Sequence, residues 1–149
     1  MNQYRWMYNS KKIVEELSGY EIGEKKDVII NNVSTLDEPL NHSMVFVGKK
    51  KWKMEYADKL NELSESFLIL ENDVSKNLSV AIKNNHVIEV RNARLYFAKA
   101  LAKILKDISA NRRYRIESNN IVIGENVIVG KNCSIEPFVF IDHDVEIGS

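Results

Sequence analysis

Residues 121–149 read IVIGENVIVGKNCSIEPFVFIDHDVEIGS, in which residue types recur at every sixth position. One register is aliphatic throughout, at Ile123, Val129, Ile135, Ile141 and Ile147. The next register holds glycine or an acidic residue, at Gly124, Gly130, Glu136, Asp142 and Gly148. A small or branched residue stands four positions after the aliphatic ones, at Val127, Cys133, Val139 and Val145. A short fixed period of this kind predicts a parallel β-helix.

Each six-residue unit is expected to form one short strand and one turn, so that three units of about eighteen residues complete a coil. The aliphatic and small registers are predicted to face the interior, and the glycine or acidic register to form the corner turns. Residues 121–149 supply roughly one and a half coils, whereas repeat units bury their core only against neighbouring coils. We therefore expect a truncated helix, either the front part of a longer protein or a short form completed by partners.

The composition is that of a folded chain without a strong charge. Its 149 residues are 44% hydrophobic, which is enough to bury a core, and 21 basic residues balance 21 acidic ones. No basic excess favours nucleic acid as a partner. The one cysteine, Cys133, cannot form an internal disulfide and is predicted to pack as a small inward residue. Without a long apolar run or a signal-peptide core, the chain is predicted to be cytoplasmic, with no membrane span.

Residues 1–110 alternate helical and strand patterns, which predicts a small mixed α/β domain. Strands are expected at 28–33, 44–47, 66–70 and 87–90, and helices at 11–17 behind Ser10 as N-cap and after Asp73 and Asn92. The spacing of Trp52, Tyr56, Leu60 and Leu63 predicts an amphipathic helix. The polar segment 111–120 is interpreted as a linker to the repeats at 121–149.

Several stretches of the chain resemble the UDP-3-O-acylglucosamine N-acyltransferase family. They are VIINNVSTLDEPLNHSMVFVGKKKW at 28–52, SFLIL at 66–70, HVIEVRNARLYFAKALAKIL at 86–105, and the repeats that follow. The resemblance covers nearly the whole chain. It implies a uridine-binding α/β domain followed by the first one to two coils of a left-handed parallel β-helix built from hexapeptide repeats.

The same resemblance implies a nucleotide site at Phe46 and Trp52. In that family two aromatic residues at these positions hold the uracil of a sugar nucleotide between them. The motif departs from the family pattern at Lys49, which replaces a nucleotide-recognising Asn, and at Lys50 and Ala93, which replace prolines. A lysine beside a diphosphate would act as a mobile point charge. The alternative is structural, with Phe46 in the core and Trp52 at the start of an amphipathic helix.

His143, in the stretch FIDHDVEIG, is the candidate catalytic residue. It lies two positions from each of the predicted inward residues Ile141 and Val145, so its side chain is expected to face outward. The stretch resembles the catalytic segment of the same family and also the His-Asp segment of nucleotide-sugar acetyltransferases. A histidine suits the removal of a proton from an attacking amine. The alternative is a solvated turn residue, because the UDP-3-O-acylglucosamine N-acyltransferases, which are enzymes of lipid A synthesis, carry their catalytic histidine several coils later.

The resemblance implies an acyltransferase that moves an acyl group from acyl carrier protein or acyl-coenzyme A to an amine of a UDP-linked sugar, in lipid A or surface-polysaccharide synthesis. A homotrimer is expected, without a tightly bound cofactor and with the acyl-donor site completed by later coils, so that this chain alone binds but does not turn over. No metal site is predicted, since His42 and His86 fall in predicted loops without an acidic partner at recognisable spacing. The alternative is a non-catalytic module that binds a uridine nucleotide or forms a trimer.

Overall fold

The computed structural model of the chain describes residues 6–148, which divide into two compact units at 6–105 and 106–148. The helices are α1 (Ser10–Leu17), α2 (Met54–Asn61), α3 (Ser79–Asn84) and α4 (Ala93–Asn111). The strands of the first unit are β1 (Tyr8–Asn9), β2 (Tyr20–Ile22), β3 (Ile29–Ile30), β4 (Asn32–Val33), β5 (Ser43–Val47), β6 (Phe67–Glu71) and β7 (His86–Val90). Those of the second are β8 (Arg115–Glu117), β9 (Ile121–Ile123), β10 (Ile128–Val129), β11 (Phe140–Ile141) and β12 (Glu146–Ile147). The chain is thus of the mixed α/β class, as its sequence predicts.

The first unit is built on a five-stranded sheet in the order β2-β7-β6-β5-β4. Strands β4 to β7 run parallel, while β2 pairs antiparallel with β7. The central strand β6 is a continuous apolar run, and its residues from Phe67 to Leu70 are fully buried. A parallel sheet buries both faces, which is why this strand reads as continuous apolar sequence rather than an alternating pattern.

Side chains that alternate along β5 pack on opposite faces of this sheet. Val45 and Val47 belong to a buried cluster with Leu68 and Leu70 of β6, which α2 and α3 complete. Phe46 lies between them in sequence and contacts Phe97 of α4, with 4.8 Å between ring centroids. Helices α2 and α3 therefore cover one face of the sheet, and α4 covers the other.

The helix starts are partly as expected. Asn92 caps α4, because its side-chain oxygen accepts the Leu95 N–H at 3.0 Å, and this prediction is confirmed. The N-cap of α1 is Asn9 rather than Ser10, and the Asn9 side chain accepts the Lys11 N–H at 2.9 Å. Asp73 caps no helix, since it has a positive φ of 71° and α3 begins only at Ser79.

The second unit pairs its strands across a shift of eighteen residues. Strand β9 pairs parallel with β11, and β10 pairs parallel with β12. Strand β8, within the segment interpreted as a linker, pairs antiparallel with β9. Ile121, Ile123 and Ile141 are buried, and Val127, Ile135, Val139, Val145 and Ile147 pack against them. Val129, predicted to be inward, is instead 38% exposed.

Turns recur with the same six-residue period, but not at the predicted register. Within residues 121–148 the left-handed residues are Asn126, Asn132, Phe138 and Asp144, with φ between 60° and 65°. They stand two positions after the glycine or acidic register that the sequence placed at the corners. Asn and Asp occupy this conformation at little cost because their short polar side chains bond locally. Gly124 has a different purpose, which is to leave room for a neighbouring side chain.

Within residues 6–148, none of the helices is both long and apolar enough to cross a membrane.

Phe138→Asn is expected to stabilise the second unit by about 1 kcal/mol, because a bulky residue is strained in the left-handed region and Asn is not. Phe138 is 80% exposed, so little burial is lost with its ring. Hydrogen exchange of the Val122 and Gly124 amides, which bond to residues of the neighbouring segment, measures the local opening free energy. The reverse exchange, Asn132→Phe, is the control and should accelerate exchange. Slower exchange in Asn132→Phe, or faster exchange in Phe138→Asn, would contradict the strain argument.

Candidate functional site

His143 lies in the turn that follows β11 and is held against the turn that follows β9. Its Nδ1 accepts the backbone N–H of Glu125 at 2.7 Å. The backbone N–H of His143 donates to Oδ1 of Asp142 at 2.8 Å. Its side chain is 12% exposed. The residue is therefore fixed by hydrogen bonds and largely covered, rather than a freely solvated turn residue.

Tyr114 covers the imidazole and bonds to the adjacent carboxylate. Its ring lies 4.4 Å from the His143 ring at an interplanar angle of 31°. Its hydroxyl donates to Asp142 Oδ1 at 2.8 Å. That bond is the main reason that the pKa of Asp142 is lowered, and the His143 N–H adds to it. The same bond raises the pKa of Tyr114.

Gly124 makes room for the imidazole on the inner side. A Cβ at this position would lie 2.6 Å from His143 Nδ1 and 2.7 Å from its backbone nitrogen. Such distances are far inside van der Waals contact, so any larger residue would push the ring away. This glycine was interpreted from the sequence as a corner residue, whereas its role is close approach.

Charged groups join the same two turns. Arg112 forms an ion pair with Asp144, whose carboxylate also accepts a hydrogen bond from the Asn126 side chain at 2.9 Å. The Glu125 carboxylate accepts the Arg113 N–H at 3.0 Å. The Asp144 and Glu125 carboxylates thus both already accept hydrogen bonds. These bonds hold one turn against the next and keep the surroundings of the histidine rigid.

Phe46 and Trp52 are not brought into one stack. Phe46 is half-buried on the face covered by α4, where it meets Phe97. Trp52 is also half-buried, but it packs against the cluster that contains Val45 and Val47 on the opposite face. Its ring centroid is 6.4 Å from that of Tyr56. A base held by both rings would have to lie across the C-terminal end of β5, where the two faces meet.

The lysines near this edge form a short 3-10 helix, Lys49–Lys51. The Lys49 ammonium lies 3.1 Å from the Asp73 carboxylate, and both side chains are exposed. An exposed pair of this kind contributes little to stability and exchanges readily with solvent. The Lys49 ammonium therefore remains able to bind an anion at the end of β5.

The sequence did not predict the buried polar network around His86. His86 begins β7 rather than lying in a loop, and it does have an acidic partner, since Nε2 lies 2.6 Å from Glu21 Oε1. Its Nδ1 lies 2.5 Å from the Ser10 hydroxyl, which also accepts the Val28 N–H at 2.9 Å. The partners are 76 and 65 residues away in sequence, so no local spacing could reveal them.

These contacts determine which nitrogen of His86 carries the hydrogen. The Glu21 carboxylate can only accept, so Nε2 of His86 donates and Nδ1 accepts the Ser10 hydroxyl hydrogen. Burial lowers the pKa of His86, against a smaller raising effect from Glu21. The histidine is therefore neutral. Because the Ser10 side chain is fully buried, these groups stabilise the α/β unit rather than meet a substrate.

Nearby, burial raises the pKa of Tyr96 to about 12, with a further contribution from Glu21. Among the described residues, the Tyr96 hydroxyl is the buried side-chain polar atom without a hydrogen-bond partner. The part of the chain that the structure describes brings no three His, Cys, Asp or Glu side chains together in an arrangement that could hold a metal ion.

The stability of the α/β unit should decline as the pH falls below about 6.5. An unfolded histidine titrates near 6.5, whereas the lowered pKa of His86 keeps it neutral in the fold, so the unfolded chain binds the extra proton in that interval. Urea unfolding at about pH 7.5 and about pH 5.5, followed by tryptophan fluorescence, measures the difference. His86→Gln should weaken this dependence, and the exposed His42→Gln should not. Equal pH dependence in wild type and His86→Gln would refute the assignment.

Tyr114→Phe is expected to raise the pKa of Asp142, because the hydroxyl that stabilises its carboxylate is removed while the ring remains. An NMR titration of the Asp142 side-chain carbonyl measures the change. Tyr56→Phe, which removes a hydroxyl bonded to Asp37, is the matched control and should leave Asp142 unchanged. An unaltered Asp142 titration in Tyr114→Phe would show that this hydrogen bond is not formed in solution.

Comparison of the sequence with models of known protein families gave no match, and no curated protein matched it either. A functional assignment for this chain therefore depends on its own residues and their geometry.

Proposed function

We propose that this chain is a nucleotide-sugar acyltransferase of the hexapeptide-repeat class. It would transfer an acyl group from acyl carrier protein or acyl-coenzyme A to an amine of a UDP-linked sugar. The observation that carries the proposal is the eighteen-residue parallel register of the second unit, with left-handed turn residues at every sixth position. We interpret this unit as the start of a left-handed parallel β-helix, an architecture that presents turn residues in a regular array.

The α/β unit supplies a candidate place for the nucleotide. Ligands of open sheets bind beyond the carboxyl ends of parallel strands, and the segment after β5 carries Lys49, Lys50 and Trp52. Phe46 and Trp52 approach this end from opposite faces, so a uracil base would lie between them at the edge rather than on one face. The exchangeable Lys49 pair leaves an ammonium available to a diphosphate.

The second unit supplies the candidate reacting group. His143 is held rigidly beside a turn, with Tyr114 and Asp142 around it. Direct attack of the sugar amine on a thioester forms no covalent intermediate with the enzyme. The protein contributes by orienting the reactants and by stabilising the developing oxyanion. A homotrimer would place such turns in grooves between subunits.

The alternative is a non-catalytic module that binds a uridine nucleotide or trimerises. One observation favours it: Nδ1 of His143 is already bonded to the Glu125 N–H, as in a residue that joins turns. If the module binds a uridine nucleotide, the two proposals require the same nucleotide site in the α/β unit and differ in whether acyl transfer follows binding.

Binding is tested by titrating UDP-N-acetylglucosamine into a Trp6→Phe background, in which Trp52 is the remaining tryptophan. We expect a saturable change in Trp52 fluorescence, and a weakening of about 5- to 150-fold in Phe46→Ala, since base stacking on an aromatic ring contributes about 1 to 3 kcal/mol. Phe138→Ala is the matched control, because that ring is exposed in the other unit. An ADP-linked sugar should bind less tightly.

Release of free thiol from acetyl-coenzyme A in the presence of a UDP-linked amino sugar tests the catalytic part. Thiol release above that of an amine-free blank supports acyl transfer and would overturn the expectation that this chain alone binds without turnover. Binding without release is the result expected both of this chain alone and of the module. A Trp52 signal that is unchanged by the UDP-sugar and by Phe46→Ala would overturn both proposals for the α/β unit.

A further inference from the structure

The hydrogen bond from Glu125 determines which nitrogen of His143 carries hydrogen. A backbone N–H can only donate, so Nδ1 must be the acceptor in this 2.7 Å contact. A neutral imidazole carries one hydrogen, which then resides on Nε2. The nitrogen of His143 that is not bonded to Glu125 is therefore an N–H donor and not a lone pair.

Nε2 has no acceptor within the described part of the chain. The nearest carboxylate oxygen, Oδ1 of Asp142, is 4.0 Å away, which is too long for a hydrogen bond. That oxygen instead receives the Tyr114 hydroxyl and the His143 backbone N–H. Asp142 consequently holds His143 by accepting its backbone N–H. It does not accept from Nε2 of His143, which can therefore donate to another acceptor.

The ring is also held against rotation by its neighbours. Tyr114 stacks on the imidazole, and the backbone of Gly124 lies so close that a Cβ would meet Nδ1 at 2.6 Å. Turning the ring would break the Glu125 bond and move the imidazole against these neighbours. Packing thus holds the ring in place, and the Glu125 hydrogen bond determines that the hydrogen is on Nε2.

This arrangement conflicts with the general-base role that the sequence indicates. A base must offer a lone pair to the amine, but one nitrogen of His143 is committed to Glu125 and the other already carries hydrogen. Accepting a proton at Nε2 would first require the hydrogen there to leave. A fixed donor beside a reacting carbonyl does match the requirements of oxyanion stabilisation.

We propose that His143 acts through its Nε2 hydrogen as a donor to the thioester oxygen, and that Tyr114, Asp142 and Gly124 are its positioning residues. This inference rests on the proposed acyl transfer. The sugar amine attacks the thioester carbon, a C–N bond forms, and the carbonyl electron pair moves to oxygen, where Nε2–H donates. The C–S bond then breaks, and the thiolate leaves with the proton lost by the nitrogen, giving an amide and a free thiol.

The tautomer is tested on the unliganded chain by long-range ¹⁵N–¹H correlation of the His143 ring. We expect the pattern of a neutral ring with hydrogen on Nε2, and its loss or rearrangement in Gly124→Ala, where the added Cβ displaces the ring. Tyr114→Phe should retain the tautomer because the stacked ring remains. A neutral ring with hydrogen on Nδ1 in the wild type would overturn the inference, whatever the activity of the protein.

The role in catalysis is tested by comparing His143→Gln with His143→Ala. The Gln side-chain amide can place a donor near the position of Nε2 but cannot act as a base, so we expect at least about tenfold higher kcat for Gln than for Ala. Equal loss of kcat in both variants would overturn the donor role.

Tyr114→Phe should lower kcat several-fold with little change in KM, as a positioning residue would. If the wild type shows the Nε2–H pattern but neither binds the UDP-linked sugar nor releases thiol, the proposed function fails while the assignment of a fixed donor stands. The two failures are thereby distinguishable.

Discussion

Backbone pairing across a shift of eighteen residues is the constraint on which the chemistry of the second unit depends. It brings the turn after β9 beside the turn after β11, so that Glu125 meets His143 and Asn126 meets Asp144. A change of register by one residue would turn the inward aliphatic side chains outward and separate these pairs. The polar contacts are therefore consequences of the same pairing that buries Ile123 and Ile141.

The turns show how one sequence period can serve two physical purposes. Left-handed backbone is placed at Asn126, Asn132, Phe138 and Asp144, where a short polar side chain is tolerated in three of the four cases. The glycine register, two positions earlier, is not needed for left-handed backbone. At Gly124 the missing Cβ instead allows the His143 imidazole to lie close to the backbone. A histidine could not pack so closely against the backbone of any other residue type.

The α/β unit is held by apolar burial on both faces of a parallel sheet, and its buried polar network keeps His86 neutral. Ser10, His86 and Glu21 satisfy one another across three separate segments. Removing one member would leave a buried donor or acceptor without a partner, which costs more than the bond itself contributes. Such a network fixes the positions of α1 and β2 against β7 and explains why Ser10 is not available as a helix cap.

The sequence by itself determined the six-residue period, the mixed α/β class, the apolar strands and the Asn92 cap, because these depend on residue order within a few positions. The roles of His143, Gly124 and His86 were decided only by tertiary structure. Their partners are 18 to 76 residues away, and a pattern of local spacing carries no information about such distances. The sequence indicated a base at His143, but whether an imidazole offers a lone pair or a hydrogen depends on what faces its other nitrogen. In this chain that partner is the backbone N–H of Glu125.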